Sequence, residues 1–111
     1  MTQNDDVKSR LMQAGGRRVK FKYPGTEGRR EGRITDRVAV AGSALRGVPY
    51  YDVVDFIAFD GEPEPWIRLT YYRHLPDGRL IFAGQYSICE PISVWGRILA
   101  AAREKEWFRK L

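Results

Sequence analysis

The sequence predicts a mainly β protein with flanking helices (α+β). The expected core is a small, five-stranded, strongly bent antiparallel meander, closed as an SH3-like barrel or left as an open sheet. A short N-terminal helix and a C-terminal helix pack on it. Three observations carry this prediction. Five runs between residues 17 and 88 have the composition and period of strands. The connections between them are short and rich in Gly, Pro and Asp. The flanking segments, residues 1–16 and 91–111, space their apolar residues at helical intervals instead. A chain of 111 residues is a single domain, and one of this size buries about two-thirds of its unfolded surface without metal or disulfide.

The elements follow in order. Asn4 is a candidate N-cap with Asp5 and Asp6 in the first turn, where a helix favours negative charge. Val7, Leu11 and Ala14 share one face, and Gly15-Gly16 stops the helix, which is expected to dock weakly. Residues 17–23 alternate Val19, Phe21 and Tyr23 with Arg18, Lys20 and Lys22, and residues 24–28 form a turn. A second strand runs from Arg29 to about Val40 with Ile34, Val38 and Val40 in phase; Asp36 breaks that row and implies a bulge or an ion pair with an arginine. Tyr50–Phe59 is apolar on both faces, which predicts a central strand with one face in the barrel and the other under a helix.

The clearest local signal is the hairpin of residues 66–88. Pro76-Asp77-Gly78 suits a type I turn closed by a glycine bulge. On one arm Ile67, Leu69 and Tyr71 are expected inside, with Trp66, Arg68, Thr70 and Tyr72 outside. On the other arm Leu80, Phe82, Tyr86 and Ile88 are expected inside. Gly32 and Gly84 are the expected bends within strands. Pro91 opens the last helix, whose stripe is Ile92, Trp95, Ile98, Leu99 and Ala102. The same wheel throws Trp107, Phe108 and Leu111 to the far side, so the helix ends or bends near Glu104, or the tail forms a second apolar patch.

The net charge of +5 is unevenly spread: residues 1–48 carry +6, residues 49–65 carry −5, and residues 66–111 carry +4. Fourteen of the 19 basic residues are arginine, whose planar fork suits phosphates and flat rings. The lone Cys89 excludes an internal disulfide, and the N-terminus lacks the basic-then-apolar pattern of a secretory signal. No apolar run approaches the ~18 residues of a membrane span. The expectation is a soluble, cytoplasmic protein that does not engage a membrane.

Catalytic and metal chemistry find little footing. His74, the only histidine, reads as a solvated turn residue, and Cys89 as a buried structural thiol. One His and one Cys cannot build a structural zinc site, and no phosphate-loop or dinucleotide motif is present. Asp52, Asp55, Asp60, Glu62 and Glu64 lack calcium-loop spacing and read as loop solubilisers. No cofactor, metal or catalytic residue is assigned.

The basic residues carry the functional expectation. Arg18, Lys20 and Lys22 form an outward row that Arg29, Arg30 and Arg33 extend, the pattern that holds a phosphate backbone. Trp66, Arg68 and Tyr72 add flat rings for stacking bases. The same charges would also serve as a solvated edge against strand-to-strand aggregation. The expected function is a non-enzymatic binding module for nucleic acid, DNA or RNA. The alternative is a protein-interaction domain or homodimer using Trp107, Phe108 and Leu111 of the terminal helix. A small RNA-cleaving enzyme ranks third.

Overall fold

The computed structural model describes residues 3–13, 16–22, 29–42, 44, 47–83 and 88–107, with backbone alone at 3–5, 21–22 and 29–30. The turn expected at residues 24–28, Ala14, Gly15, Tyr23, Gly84, Tyr86, Phe108 and Leu111 lie outside the described residues. The elements are α1 (Gln3–Met12), β1 (Arg18–Lys22), β2 (Arg29–Ala41), β3 (Tyr50–Phe59), β4 (Trp66–His74), β5 (Leu80–Phe82), β6 (Ile88–Pro91) and α2 (Ile92–Glu104). All strand pairings are antiparallel, in the order β1-β2-β3-β4-β5, and β6 also pairs with β4. The sheet curls into a half-barrel, the α+β architecture the sequence predicts.

Two local irregularities decide which side chains face the hollow. In β2 the pairing with β3 shifts between Ile34 and Asp36. This is the interruption that Asp36 signals in the sequence. One extra residue reverses every side chain beyond it. Ile34 is therefore buried on the concave side, whereas Val38 and Val40 are exposed on the convex side and Arg37 turns inward. The second irregularity splits the last expected strand into β5 and β6. Tyr72 pairs with Phe82, and unbroken pairing would set Leu69 opposite residue 85; it lies opposite Ile88. A slip of three residues is again odd, so Leu80 and Phe82 face the hollow and Ile88 faces away.

The faces of β4 are consequently the reverse of the expected ones. Arg68, Thr70 and His74 are buried with Trp66 and Tyr72 half-buried beside them, while Leu69 and Tyr71 are exposed. The cause lies in β3, where Tyr51, Val53, Asp55, Ile57 and Phe59 point into the hollow. Asp55 pairs in register with Arg68, and an acid in that phase needs a cation beside it. Asp55 is thus a core residue and not a loop solubiliser. β3 is central as expected, but among the described residues no helix covers its other face. Val54 and Ala58 are exposed, and α2 leans on β4 and β6 instead.

The core is in two parts. At one end α1 closes the hollow, burying Val7 and Leu11 against Tyr51 and Val53, with Ala39, Tyr72 and Leu80 around them. That docking is firmer than the sequence implies. At the other end Ile34, Ile57, Phe59 and Cys89 pack with Val19 and Trp66. Gly32 allows this end to close: a Cβ there would lie 2.6 Å from the Ala58 carbonyl oxygen and 2.8 Å from Phe59 Cα. The turn at Pro76 takes its expected form, with Gly78 at φ 90° and its N–H donated to the Leu75 carbonyl at 2.9 Å.

α2 starts where the Ser93 N–H donates to the Glu64 carboxylate at 2.8 Å, so the acidic loop supplies the cap that Pro91 cannot. Trp95 anchors the helix by donating its Nε1–H to the Ile67 carbonyl at 2.7 Å. Ile92, Ile98 and Leu99 of the same stripe remain exposed. The helix ends at Glu104, and Trp107 beyond it is exposed. Among the described residues, no helix is long and apolar enough to cross a membrane.

Candidate functional site in the hollow of the half-barrel

Between the two apolar clusters a row of charge crosses the sheet. Arg37 of β2, Asp55 of β3 and Arg68 of β4 are neighbours in register and are all buried. Arg37 grips Asp55 with its Nε on Oδ1 and its Nη2 on Oδ2 at 3.1 Å; Arg68 Nη2 reaches Oδ2 at 2.8 Å. Arg37 also donates Nη1 to the Leu11 carbonyl at 3.0 Å, capping the last turn of α1, and its Nη2 lies 3.5 Å from the Tyr72 hydroxyl. Burial weakens the protonated Arg37, but the hydrogen bonds and charge of Asp55 outweigh it and hold the pKa above the ordinary arginine value.

Two arginines against one carboxylate leave an excess of one buried positive charge among the described residues. Arg68 Nε and the neighbouring Thr70 Oγ1 are buried without a hydrogen-bond partner among the described residues. Arg68 forms part of the floor of an open cavity of about 390 Å³, whose lining also includes Arg17, Arg18, Lys20, Arg37, Tyr72 and Phe82. A second cavity of about 360 Å³ adjoins it through Arg17, Arg37, Tyr72 and Leu80 and extends to Arg10 on α1. Among the described residues, no lining residue of either cavity is acidic.

Rings are set among these cations. Tyr72 and Phe82 meet edge to face with centroids 5.5 Å apart. The Arg37 guanidinium lies 5.6 Å from the Tyr72 ring centre and that of Arg68 lies 5.4 Å from Phe82. Phe82 is 45 % exposed, so its free side offers a flat apolar surface at the rim.

The residues expected to form one nucleic-acid surface are distributed differently. Arg68 and Tyr72 lie in the hollow; β1 runs along its edge, but Arg18 and Lys20 pair in register with Arg33 and Glu31 and so belong to the convex phase of the sheet. The Arg18 side chain turns to acids: it contacts Asp60 at 2.7 Å and Glu31 at 3.3 Å, and Lys20 lies 3.7 Å from Glu31. The hydrogen bonding that Arg18 donates to Asp60 lowers the Asp60 pKa and raises that of Arg18. Arg33 pairs with Arg18 and with Ala58 in register, which sets it on the convex side. The backbone pairs Lys22 with Arg29 and Phe21 with Arg30; the side chains of Lys22, Arg29 and Arg30 lie outside the described residues. Trp66 is not an exposed stacking ring. It packs edge-on to Phe59 at 5.6 Å within the second core cluster.

Arg17 and Arg37, absent from the expected binding set, are the additional cations of the site. Their signal was present: an acid in the buried phase of β3 requires cationic partners, and a bulge at Asp36 turns Arg37 inward. His74 is buried and edge-on to Tyr51, not solvated; it lines a separate cavity of about 230 Å³ beside Pro49 and Pro76. Cys89 is buried in the core. Among the described residues, no group of three or more His, Cys, Asp or Glu is placed to hold a metal. Comparison with protein-family models, curated proteins and solved structures finds no match to the chain.

Proposed function

We propose that the protein is a non-enzymatic, cytoplasmic binding module that holds single-stranded nucleic acid in the hollow of its half-barrel. The observation that carries this reading is the acid-free basic groove floored by Arg68, a buried cation with an unused donor. A phosphate placed there meets Arg68 from below and Arg17 from the side, and such charge-assisted bonds are the strong ones. The two adjoining cavities share Arg17, Arg37, Tyr72 and Leu80 and so form one continuous basic trough, which favours an extended polyanion. The exposed side of Phe82 supplies a stacking platform, a sequence-tolerant contact available only to unpaired bases.

Fluorescence anisotropy of labelled single-stranded and duplex oligonucleotides across a salt series tests this. The single strand is expected to bind more tightly, with affinity falling as salt rises. Arg17→Glu should weaken binding of both, Phe82→Ala should weaken the single strand selectively, and Arg73→Glu on the convex side should change neither. No binding at low ionic strength overturns the reading.

A further inference from the structure

The second cavity of the trough differs from the first in what stands at its end and in how its charges are balanced. Leu11 and Gln13 line it where α1 runs out, and the helix is held firmly there. Val7 and Leu11 are buried against Tyr51 and Val53. Arg37 Nη1 donates to the Leu11 carbonyl at 3.0 Å, and Arg10 Nη1 donates to the Gly78 carbonyl, in the β4–β5 turn, at 3.0 Å. A strand lying along the floor from the first cavity therefore meets a docked helix and stops beside it.

Three arginines converge at this end. Arg10 and Arg17 are exposed and reach the cavity from its rim, and the buried Arg37 reaches it from the floor. Among the described residues, Arg10 and Arg17 make no ion pair. Asp55 offsets only one of Arg37 and Arg68. The neighbouring acids are turned elsewhere. Asp6, one turn before Arg10 on α1, lines neither cavity. Asp77 pairs with Arg79 at 2.6 Å, and Glu31 and Asp60 pair with Arg18. Gln13 and Tyr72 add neutral polar groups to the lining. An internal phosphodiester brings one negative charge to such a site. A phosphate monoester brings about −1.5 to −2 at neutral pH, on three strongly accepting oxygens.

Phe82 lines the first cavity and not the second. Tyr72 stands between, its ring centre 5.5 Å from that of Phe82 and 5.6 Å from the Arg37 guanidinium. We infer that the second cavity seats the terminal phosphate of the strand, held by Arg10, Arg17 and Arg37 beside the end of α1 while the first base stacks on Phe82. The inference rests on the reading of the trough as a single-strand site and narrows its ligand to strands that end in phosphate. Guanidinium forks suit that group, since they offer paired donors to its oxygens.

Competition anisotropy with unlabelled oligonucleotides of one sequence tests it. The competitors are 5′-phosphorylated, 3′-phosphorylated, hydroxyl-ended, and hydroxyl-ended with one nucleotide more, which nearly matches the added charge. One phosphorylated strand is expected to bind about tenfold more tightly than either hydroxyl-ended strand, and its identity names the end that is held. Arg10→Ala should bring that ratio close to one while keeping the wild-type circular dichroism spectrum. Gln13→Glu leaves the bond from Arg10 to Gly78 in place and sets an acid in the seat; it should lower the ratio in the same way. Phe82→Ala should weaken phosphorylated and hydroxyl-ended strands alike and preserve the ratio. Equal affinity for all competitors overturns the inference and leaves the trough as a single-strand site. A ratio unchanged by both Arg10→Ala and Gln13→Glu overturns it too. Binding of no strand at all overturns the proposed function, and this inference with it.

Discussion

On the concave face a row of Arg37, Asp55 and Arg68 crosses three strands shielded from water. On the convex face a row of Val38, Val54, Leu69 and Ile88 crosses four strands and stays in water. The usual division of a sheet would exchange them. Desolvating the charged row costs several kcal/mol per ion and is repaid only through the geometry of the bonds to Asp55. Leaving the apolar row exposed forfeits about 1.5–3 kcal/mol for each large side chain that burial would contribute. The two faces therefore differ in kind: a fixed positive field lies in the hollow, and apolar side chains stand in water on the back.

The first way to break this comparison is to remove Asp55. Asp55→Ala leaves two buried arginines facing each other and should cost about 3–5 kcal/mol of stability, read as a fall in the urea midpoint. Replacing Arg37, Asp55 and Arg68 together by apolar residues of similar volume should recover most of that loss while abolishing oligonucleotide binding. Such a variant separates what the row does for folding from what it does for the ligand.

Ligand contacts come next. Phe82→Ala should weaken single-strand binding by about 1–3 kcal/mol if one base stacks on it, with the melting temperature nearly unchanged. Arg17→Glu should also reduce the slope of affinity against salt concentration, because one phosphate contact is lost.

The convex face should respond weakly in stability. Changing Val38, Val54 and Leu69 singly to Thr should shift the stability of the chain by no more than about 0.5 kcal/mol each. A larger loss would mean that the chain's own residues cover the face.

The smallest effect is electrostatic. The hydrogen bond from Arg18 lowers the Asp60 pKa, and the Arg79 backbone N–H, at 3.0 Å, does the same for Asp77. A carboxylate lowered in the folded state adds stability above its unfolded pKa, and that contribution fades as pH falls through the folded value. Carboxyl NMR titration should therefore show both midpoints below the ordinary aspartate value, and Arg18→Ala should return Asp60 toward it.

Much of the architecture was legible because it is local. Alternation marked the strands, Pro76-Asp77-Gly78 marked the turn, and the stripe from Ile92 to Ala102 marked the last helix. The faces were not legible, because period-two alternation fixes which residues lie together but not which set is buried. β4 offers Ile67, Leu69 and Tyr71 in one phase and Trp66, Arg68 and Tyr72 in the other, and both are credible cores. The choice depends on the register with β3, and on two odd-numbered slips that each reverse a strand. Asp36 marked the first slip. The second falls between Phe82 and Ile88, where the sequence runs on in apparent phase. The candidate site was half legible for the same reason: Arg68 and Tyr72 were chosen as outward groups, and they reach the hollow only because that strand faces the other way.

The account stands on the division of labour between the two faces, and chemical-shift mapping on adding a single-stranded oligonucleotide tests it most directly. The expected result is perturbation concentrated at Arg17, Arg37, Arg68, Tyr72 and Phe82, with Val38, Val54, Leu69 and Ile88 unmoved. Perturbation centred on the convex row, or spread evenly over both faces, would contradict it.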